Sequence, residues 1–183
     1  MDSYSDNALM LKVKAGQRDA MGLLFERYHR RLFGYYCQLS QEAELSEDLV
    51  QNTFYRMLKY AHTYQGEGEG EGEFITWMFH LARNVWADHY KKQQRLPTEE
   101  INQAVPLSIA EETETEGQLT QLRRAIQYLK PERKEVLLLS RYQGLRYQEI
   151  AQLLNCSEAN VKVRVFRAIQ DLRQIFRQLE QQL

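Results

Sequence analysis

Three long stretches of the chain, residues 35–65, 73–96 and 145–183, contain neither glycine nor proline, the two residues that most often end helices. Runs of that length leave room for helices of many turns, and the apolar spacing inside them has the helical period. Met21, Leu24, Phe25, Tyr28, Leu32, Tyr35 and Tyr36 recur at intervals of three and four, the stripe of a half-buried helix. Leu49, Thr53, Met57 and Tyr60 continue the pattern, with Tyr55 off the stripe. Val, Ile and Thr together number only 22 of 183 residues, few for a sheet protein, while Leu, Gln, Glu, Arg and Ala are abundant. The expected fold class is all-α.

Where glycine and proline do occur, they divide the chain. Pro97 and Pro106 both fall in a stretch with six Glu and no base, residues 97–117. Residues 96–117 therefore read as a flexible acidic linker between two small helical domains, 1–95 and 118–183. Each is large enough to bury a core of its own. The tract GEGEGEGE, from Gly66 to Glu73, is too regular to pack and reads as a mobile loop between two helices. The net charge of -1 conceals a segregation. Residues 65–73 carry -4, residues 74–96 carry +3, residues 97–117 carry -6 and residues 118–183 carry +6. Two basic bodies separated by acidic strips suit a nucleic-acid binder of ordinary isoelectric point; plain solvated surface charge is the alternative.

Residues 144–176 carry the most specific local pattern. A short helix, 147–154, has Ile150, Ala151, Leu153 and Leu154 on its apolar side. Asn155 then tolerates the left-handed conformation of a helix end, and Ser157 can cap the next helix with Glu158 in its first turn. Val161, Val165, Ala168, Ile169, Leu172, Ile175 and Phe176 mark the inner face of that helix. Lys162, Val163, Phe166, Arg167, Gln170 and Gln174 mark the outer one. Two helices joined by a tight turn, the second with a basic outer face, match the geometry that enters a DNA major groove. Arg and Lys reach guanine edges there, and Val163 or Phe166 can meet a thymine methyl. An ordinary αα-hairpin of a bundle is the alternative. Cys156, in the turn, reads as a small buried hydrophobe.

Residues 74–92 form a second basic helix, dense in aromatics. Phe74, Met78, Leu81 and Val85 make a core stripe, while Trp77, Asn84, Asp88 and Lys91 line another face, with Lys92 beside them. Rings next to cations are what single-stranded nucleic acid requires.

Together these segments resemble the extracytoplasmic-function group of RNA polymerase sigma factors, over nearly the whole chain. AMGLLFERYHRRLFGYYCQLS at 20–40 resembles the first helix of the promoter-melting domain. DLVQNTFYRMLKY at 48–60 is similar to the polymerase-docking helix, with Asp48, Gln51 and Phe54 at matching positions. FITWMFHLARNVWADHYKK resembles the family's W-L-x-x-I-A-R-N-x-x-x-D-x-x-R/K helix, and residues 144–173 its helix-turn-helix. The resemblance implies docking on the polymerase clamp through Asp48, Gln51, Asn52, Phe54 and Arg56, with contact to the flap as well. It implies opening of the −10 element as single strand by the helix bearing Trp77, Asn84, Asp88, Lys91 and Lys92. It implies reading of the −35 duplex through Lys162, Val163, Phe166 and Arg167, with Arg164 and Arg146 on phosphates. An anti-sigma partner, a cytoplasmic location and a monomer are also expected. Two departures stand out. Val163 replaces a position often small and polar in the family, favouring apolar contact, and the tract places four carboxylates in the loop expected to capture a flipped base. That tract reads as a solvated insertion.

Other classes find little support. The opening MDSYSDNALMLKVKAG is acidic before it is apolar, unlike a secretory leader, and no apolar run approaches the roughly 20 residues of a membrane span. Cys37 and Cys156 lie far apart, and His29, His62, His80 and His89 lack metal-ligand spacing, so no metal or other cofactor is expected. There is no phosphate-binding glycine loop, H-E-x-x-H or G-x-S-x-G, so the chain does not read as an enzyme and no catalytic residue is expected. A stand-alone helix-turn-helix regulator is the second reading.

Overall fold

The computed structural model describes residues 4–66, 71–95 and 114–181, and every element is helical. The acidic stretch expected as a linker lies outside the described residues as far as 113, as does the middle of the tract, 67–70. The chain divides into two compact units, Met1–Gln103 and Ala104–Leu183.

In the first unit, α1 spans Asp6–Lys14, α2 Asp19–Ser40, α3 Ala43–Lys59 and α4 Glu71–Arg95, with one 3₁₀ turn at Ala61–Thr63. Helix α1 was not foreseen, although its start is chemically explicit: Ser5 Oγ accepts from the Ala8 amide at 3.2 Å, and Asp6 suits the first turn. Helix α2 stops where Gln41 adopts φ 63° and donates its backbone N–H to the Cys37 carbonyl at 3.1 Å. Its stripe packs as expected at Met21, Leu24, Tyr28, Leu32, Tyr35 and Tyr36. Phe25 does not follow it. That ring remains 40% exposed, stacked on His29 and covering Phe54. Tyr60, at the end of the α3 stripe, is likewise exposed because the helix ends there.

The Tyr36 hydroxyl joins three helices. It pairs with Thr53 Oγ1 of α3 at 2.6 Å and donates to the Ala82 carbonyl of α4 at 3.0 Å. Around it Tyr35, Phe79, Leu32, Met57 and Met78 are fully buried, each contributing about 1.5–3 kcal/mol of hydrophobic stabilisation. Helix α4 begins three residues earlier than the sequence suggests, inside the glycine–glutamate tract. Gly66, at the start of the tract, is buried against Tyr64, so this end is packed rather than loose.

In the second unit, α5 spans Glu114–Gln127, α6 Pro131–Leu137, α7 Tyr147–Leu153 and α8 Glu158–Glu180. Helix α5 starts before Gly117, so the last four residues of the expected linker are helical. Pro131 occupies the first turn of α6, where its missing N–H has no intrahelical acceptor to lose. A π turn, Leu138–Tyr142, extends α6, and the Gln143 amide reaches back to the Leu138 carbonyl at 2.8 Å. Gly144, at φ 67°, then lets Leu145 donate to the Leu139 carbonyl at 3.0 Å and turns the chain into α7. Val136, Leu138, Leu139, Ile150, Leu153, Val161 and Val165 form the core. Helices α5, α6 and α7 all pack on α8.

Candidate nucleic-acid interface

The orientation of α8 follows from local chemistry. The Arg146 amide donates to Glu149 Oε2 at 2.6 Å, satisfying one of the unpaired donors at the start of α7. Asn155 takes φ 48°, and the Cys156 amide returns to the Ala151 carbonyl at 3.0 Å, which closes α7. Ser157 Oγ then accepts from the Asn160 amide at 3.2 Å and opens α8. The turn thus has the chemistry expected of it, though Cys156 is only half-buried.

With Val161, Val165 and Ala168 buried, Lys162, Val163, Arg164, Phe166, Arg167, Gln170 and Gln174 all face solvent. Phe166 is 63% exposed and Val163 47%, large apolar groups with no core to enter. Lys162 Nζ lies 3.4 Å from Glu158, and Arg164 Nε donates to Asn160 Oδ1 at 2.6 Å; both contacts sit in solvent and are weak. Arg133 of α6 pairs with Asp171 of α8 at 3.3 Å, steadying α8 beside the exposed face. Arg146 is exposed at the start of α7. The remaining inner positions, Ile169, Leu172, Ile175 and Phe176, are half-buried, because α8 runs beyond α6 and α7.

In the first unit the expected docking residues separate. Asp48, Gln51 and Asn52 are exposed on α3. Phe54 is not available: it is 6% exposed, with the Phe25 ring 4.9 Å away, so it supports the face from beneath. The sequence reading missed Tyr55 and Leu58, which are 63% and 41% exposed on α3. Tyr55 had given the signal by lying off the apolar stripe. Arg56 donates to Asn52 Oδ1 at 3.2 Å and pairs with Asp88 of α4 at 2.8 Å. The expected docking and melting residues therefore meet through one chain of contacts, Asn52–Arg56–Asp88. Asp88 thus pairs with Arg56 while its own side chain stays more than half exposed.

Asn84, Lys91 and Lys92 are exposed on α4, whereas Trp77 is half-buried with its ring 5.1 Å from that of Tyr64. The core stripe of α4, Phe74, Met78, Leu81 and Val85, is buried as expected. Among the described residues no cluster of His, Cys, Asp or Glu could hold a metal, and no helix is long and apolar enough to cross a membrane.

Comparison with known proteins bears on both units. Residues 24–96 match the family described as Sigma-70 region 2, and residues 119–172 match Sigma-70, region 4. The chain is 30% identical to the ECF RNA polymerase sigma factor BldN of Streptomyces coelicolor, over 92% of this chain and 66% of that protein. It is 27% identical to the RNA polymerase sigma factor CarQ of Myxococcus xanthus, over 93% of this chain and 97% of CarQ. In fold it is similar to CnrH, solved in complex with the cytosolic domain of CnrY, with a TM-score of 0.70 at 20% identity over 93% of this chain and 96% of CnrH. A second fold neighbour is the sigma factor RpoE of Bartonella quintana, solved with the anti-sigma factor NepR, with a TM-score of 0.65 at 20% identity over 87% of this chain and 98% of RpoE.

Proposed function

The chain belongs to the extracytoplasmic-function group of RNA polymerase sigma factors, non-catalytic subunits that direct promoter-specific initiation, and we propose how its two units divide that work. The second unit, taken as 118–183, reads the −35 duplex. Lys162, Val163, Phe166 and Arg167 meet base edges, and Arg146 and Arg164 hold phosphates and set register. The observation that supports this most is the solvent-facing side of α8, where cations and two bare apolar side chains stand together after a capped turn.

The first unit, taken as 1–95, docks on core polymerase through Asp48, Gln51 and Asn52, with Tyr55 and Leu58 supplying apolar contact. Phe54 and Arg56 hold that surface in shape. Asn84, Lys91 and Lys92 face the −10 strand, and Trp77 stands beside the segment that leads into the tract. Extruding a base costs a few kcal/mol, and stacking on an aromatic returns about 1–3 kcal/mol per base. The acidic stretch 96–117 connects the two activities. The protein works in the cytoplasm, as a monomer until it joins polymerase, and is held inactive by an anti-sigma partner that covers these same surfaces. A stand-alone helix-turn-helix regulator would leave the matched residues 24–96 without a role.

Run-off transcription with core polymerase on pooled promoter fragments tests the assignment. Discrete transcripts that require this protein are expected; sequence-specific DNA binding without any transcript would overturn it. Asp48→Arg should abolish co-elution with core polymerase while leaving helicity intact, and retained co-elution would remove Asp48 from the docking face.

A further inference from the structure

A single side chain of the first unit touches both ends of the glycine–glutamate tract. Asn7 of α1 is only 3% exposed. Its Oδ1 accepts a hydrogen bond from the Tyr64 hydroxyl, two residues before the tract. Its Nδ2 donates, over a long 3.5 Å, to Oε2 of Glu73, the last residue of the tract. The same helix adds a second tie, since Lys14 Nζ donates to the Tyr64 carbonyl at 2.6 Å.

These contacts leave Tyr64 little freedom. Its ring is 1% exposed, with the ring centroids of Trp77 and Phe74 at 5.1 and 6.4 Å. Gly66 lies so close that a Cβ there would come within 2.5 Å of the Tyr64 hydroxyl oxygen, so any larger residue would force Tyr64 to shift. Burial first, and the Glu73 carboxylate second, raise the phenol's pKa, which keeps it protonated as a donor to Asn7. Both stems of a glycine-rich connection are thereby fixed to one helix, which removes much of the closure entropy that a free loop would carry.

We infer that Asn7 is a positioning residue for promoter opening: by tying Tyr64 and Glu73 to α1 it sets the rim, completed by Trp77, against which the −10 strand is received. The inference rests on the reading of the first unit as the promoter-melting unit. Asn7 itself touches no DNA. Its chemistry makes the role separable from mere stability, because its carbonyl serves one stem and its amide the other. In Asn7→Asp the acceptor for Tyr64 survives, but a carboxylate replaces the amide that faced Glu73. In the double variant Asn7→Asp, Glu73→Gln the donor and acceptor between the two positions exchange places.

The experiment uses the full chain with core polymerase on a promoter it transcribes. It measures permanganate reactivity of −10 thymines over time and the preference among −10 base substitutions. Polymerase co-elution and −35 duplex binding are measured in parallel. Asn7→Asp is expected to open the promoter about tenfold more slowly, with a flatter −10 base preference, and the double variant to recover to within about threefold. Core binding and −35 binding should not move. Unchanged base preference in Asn7→Asp, or no recovery in the double variant, would overturn the assignment while leaving the sigma reading intact. Failure of the unaltered protein to open any promoter would take down both.

Discussion

The two units bury their cores with different residues. In the first, Tyr28, Tyr35, Tyr36, Tyr64, Phe54, Phe74 and Phe79 are all inside. In the second, the buried side chains among the described residues are Leu, Ile, Val and Ala, apart from Gln143, while Tyr128, Tyr142 and Phe166 are more than half exposed. A buried phenol needs a partner for its hydroxyl, so an aromatic core of this kind is also a set of directional bonds. Tyr36 reaches α3 and α4, Tyr64 reaches α1, and Tyr28 donates to Asp6, which Arg27 also holds at 2.6 Å. The core of the second unit is aliphatic and packs by shape, with polar ties such as Arg133–Asp171 at its edge. Tyr128, Tyr142 and Phe166 are turned to the surface, and Phe166 stands on the outer face of α8.

That contrast can be broken most directly at Phe79, fully buried with its ring edge-on to Tyr35 at 5.4 Å. Phe79→Ala should cost the first unit about 3–5 kcal/mol. Thermal unfolding followed by probes in each unit should show the first transition fall and the second hold. A joint fall would mean that the cores are not independent. Arg167→Ala acts on the other side of the comparison, lowering −35 affinity by about 1–3 kcal/mol with little effect on stability. Equal loss on random duplex in a binding titration would turn Arg167 into a phosphate contact. Tyr36→Phe should cost about 1–2 kcal/mol, because the packing stays while the contacts to Thr53 Oγ1 and the Ala82 carbonyl go. Urea unfolding within a few tenths of wild type would show that the hydroxyls add no stability to the aromatic core.

Much of this was readable from sequence where the signal is local. Asn155 through its left-handed backbone and Ser157 through its hydroxyl fix a helix end and a helix start, so the helix-turn-helix and the outer face of α8 follow without tertiary knowledge. The stripes of α2 and α4 were legible for the same reason. What escaped notice depends on a neighbour. Phe54 looks available on α3 until Phe25 of α2 covers it, and Asp88 looks free until Arg56 of α3 takes it. The π turn at Leu138–Tyr142 has no residue signature, since any helical residue can shift its bond by one position. The early start of α4 runs against glycine's poor helix propensity, the local preference on which the sequence expectation rests. Asn7 could not be singled out at all: its importance lies in Tyr64 and Glu73, 57 and 66 residues away.

The pH dependence is the test in which the two units should move in opposite directions. Burial raises the phenols of Tyr28, Tyr36 and Tyr64 well above their usual 10.0, with Asp6 adding to the shift at Tyr28. As pH rises past 10, the unfolded chain sheds phenolic protons that the folded first unit keeps, so that unit loses stability. Lys134 of α6, whose ammonium donates to Gln127, runs the other way. Burial pushes it down from 10.5 to about 8. Between pH 8 and 10.5 the unfolded chain holds a proton that the folded second unit has released, so this unit gains stability over that window. Melting temperatures of the two units, taken from pH 7 to 11, should show the first level and then falling, the second rising from pH 8. Lys134→Met should abolish the rise in the second unit and leave the fall in the first untouched. A rise that persists without Lys134 would show that the aliphatic core does not desolvate this amine. The difference between the two units would then lie in their hydroxyl partners alone.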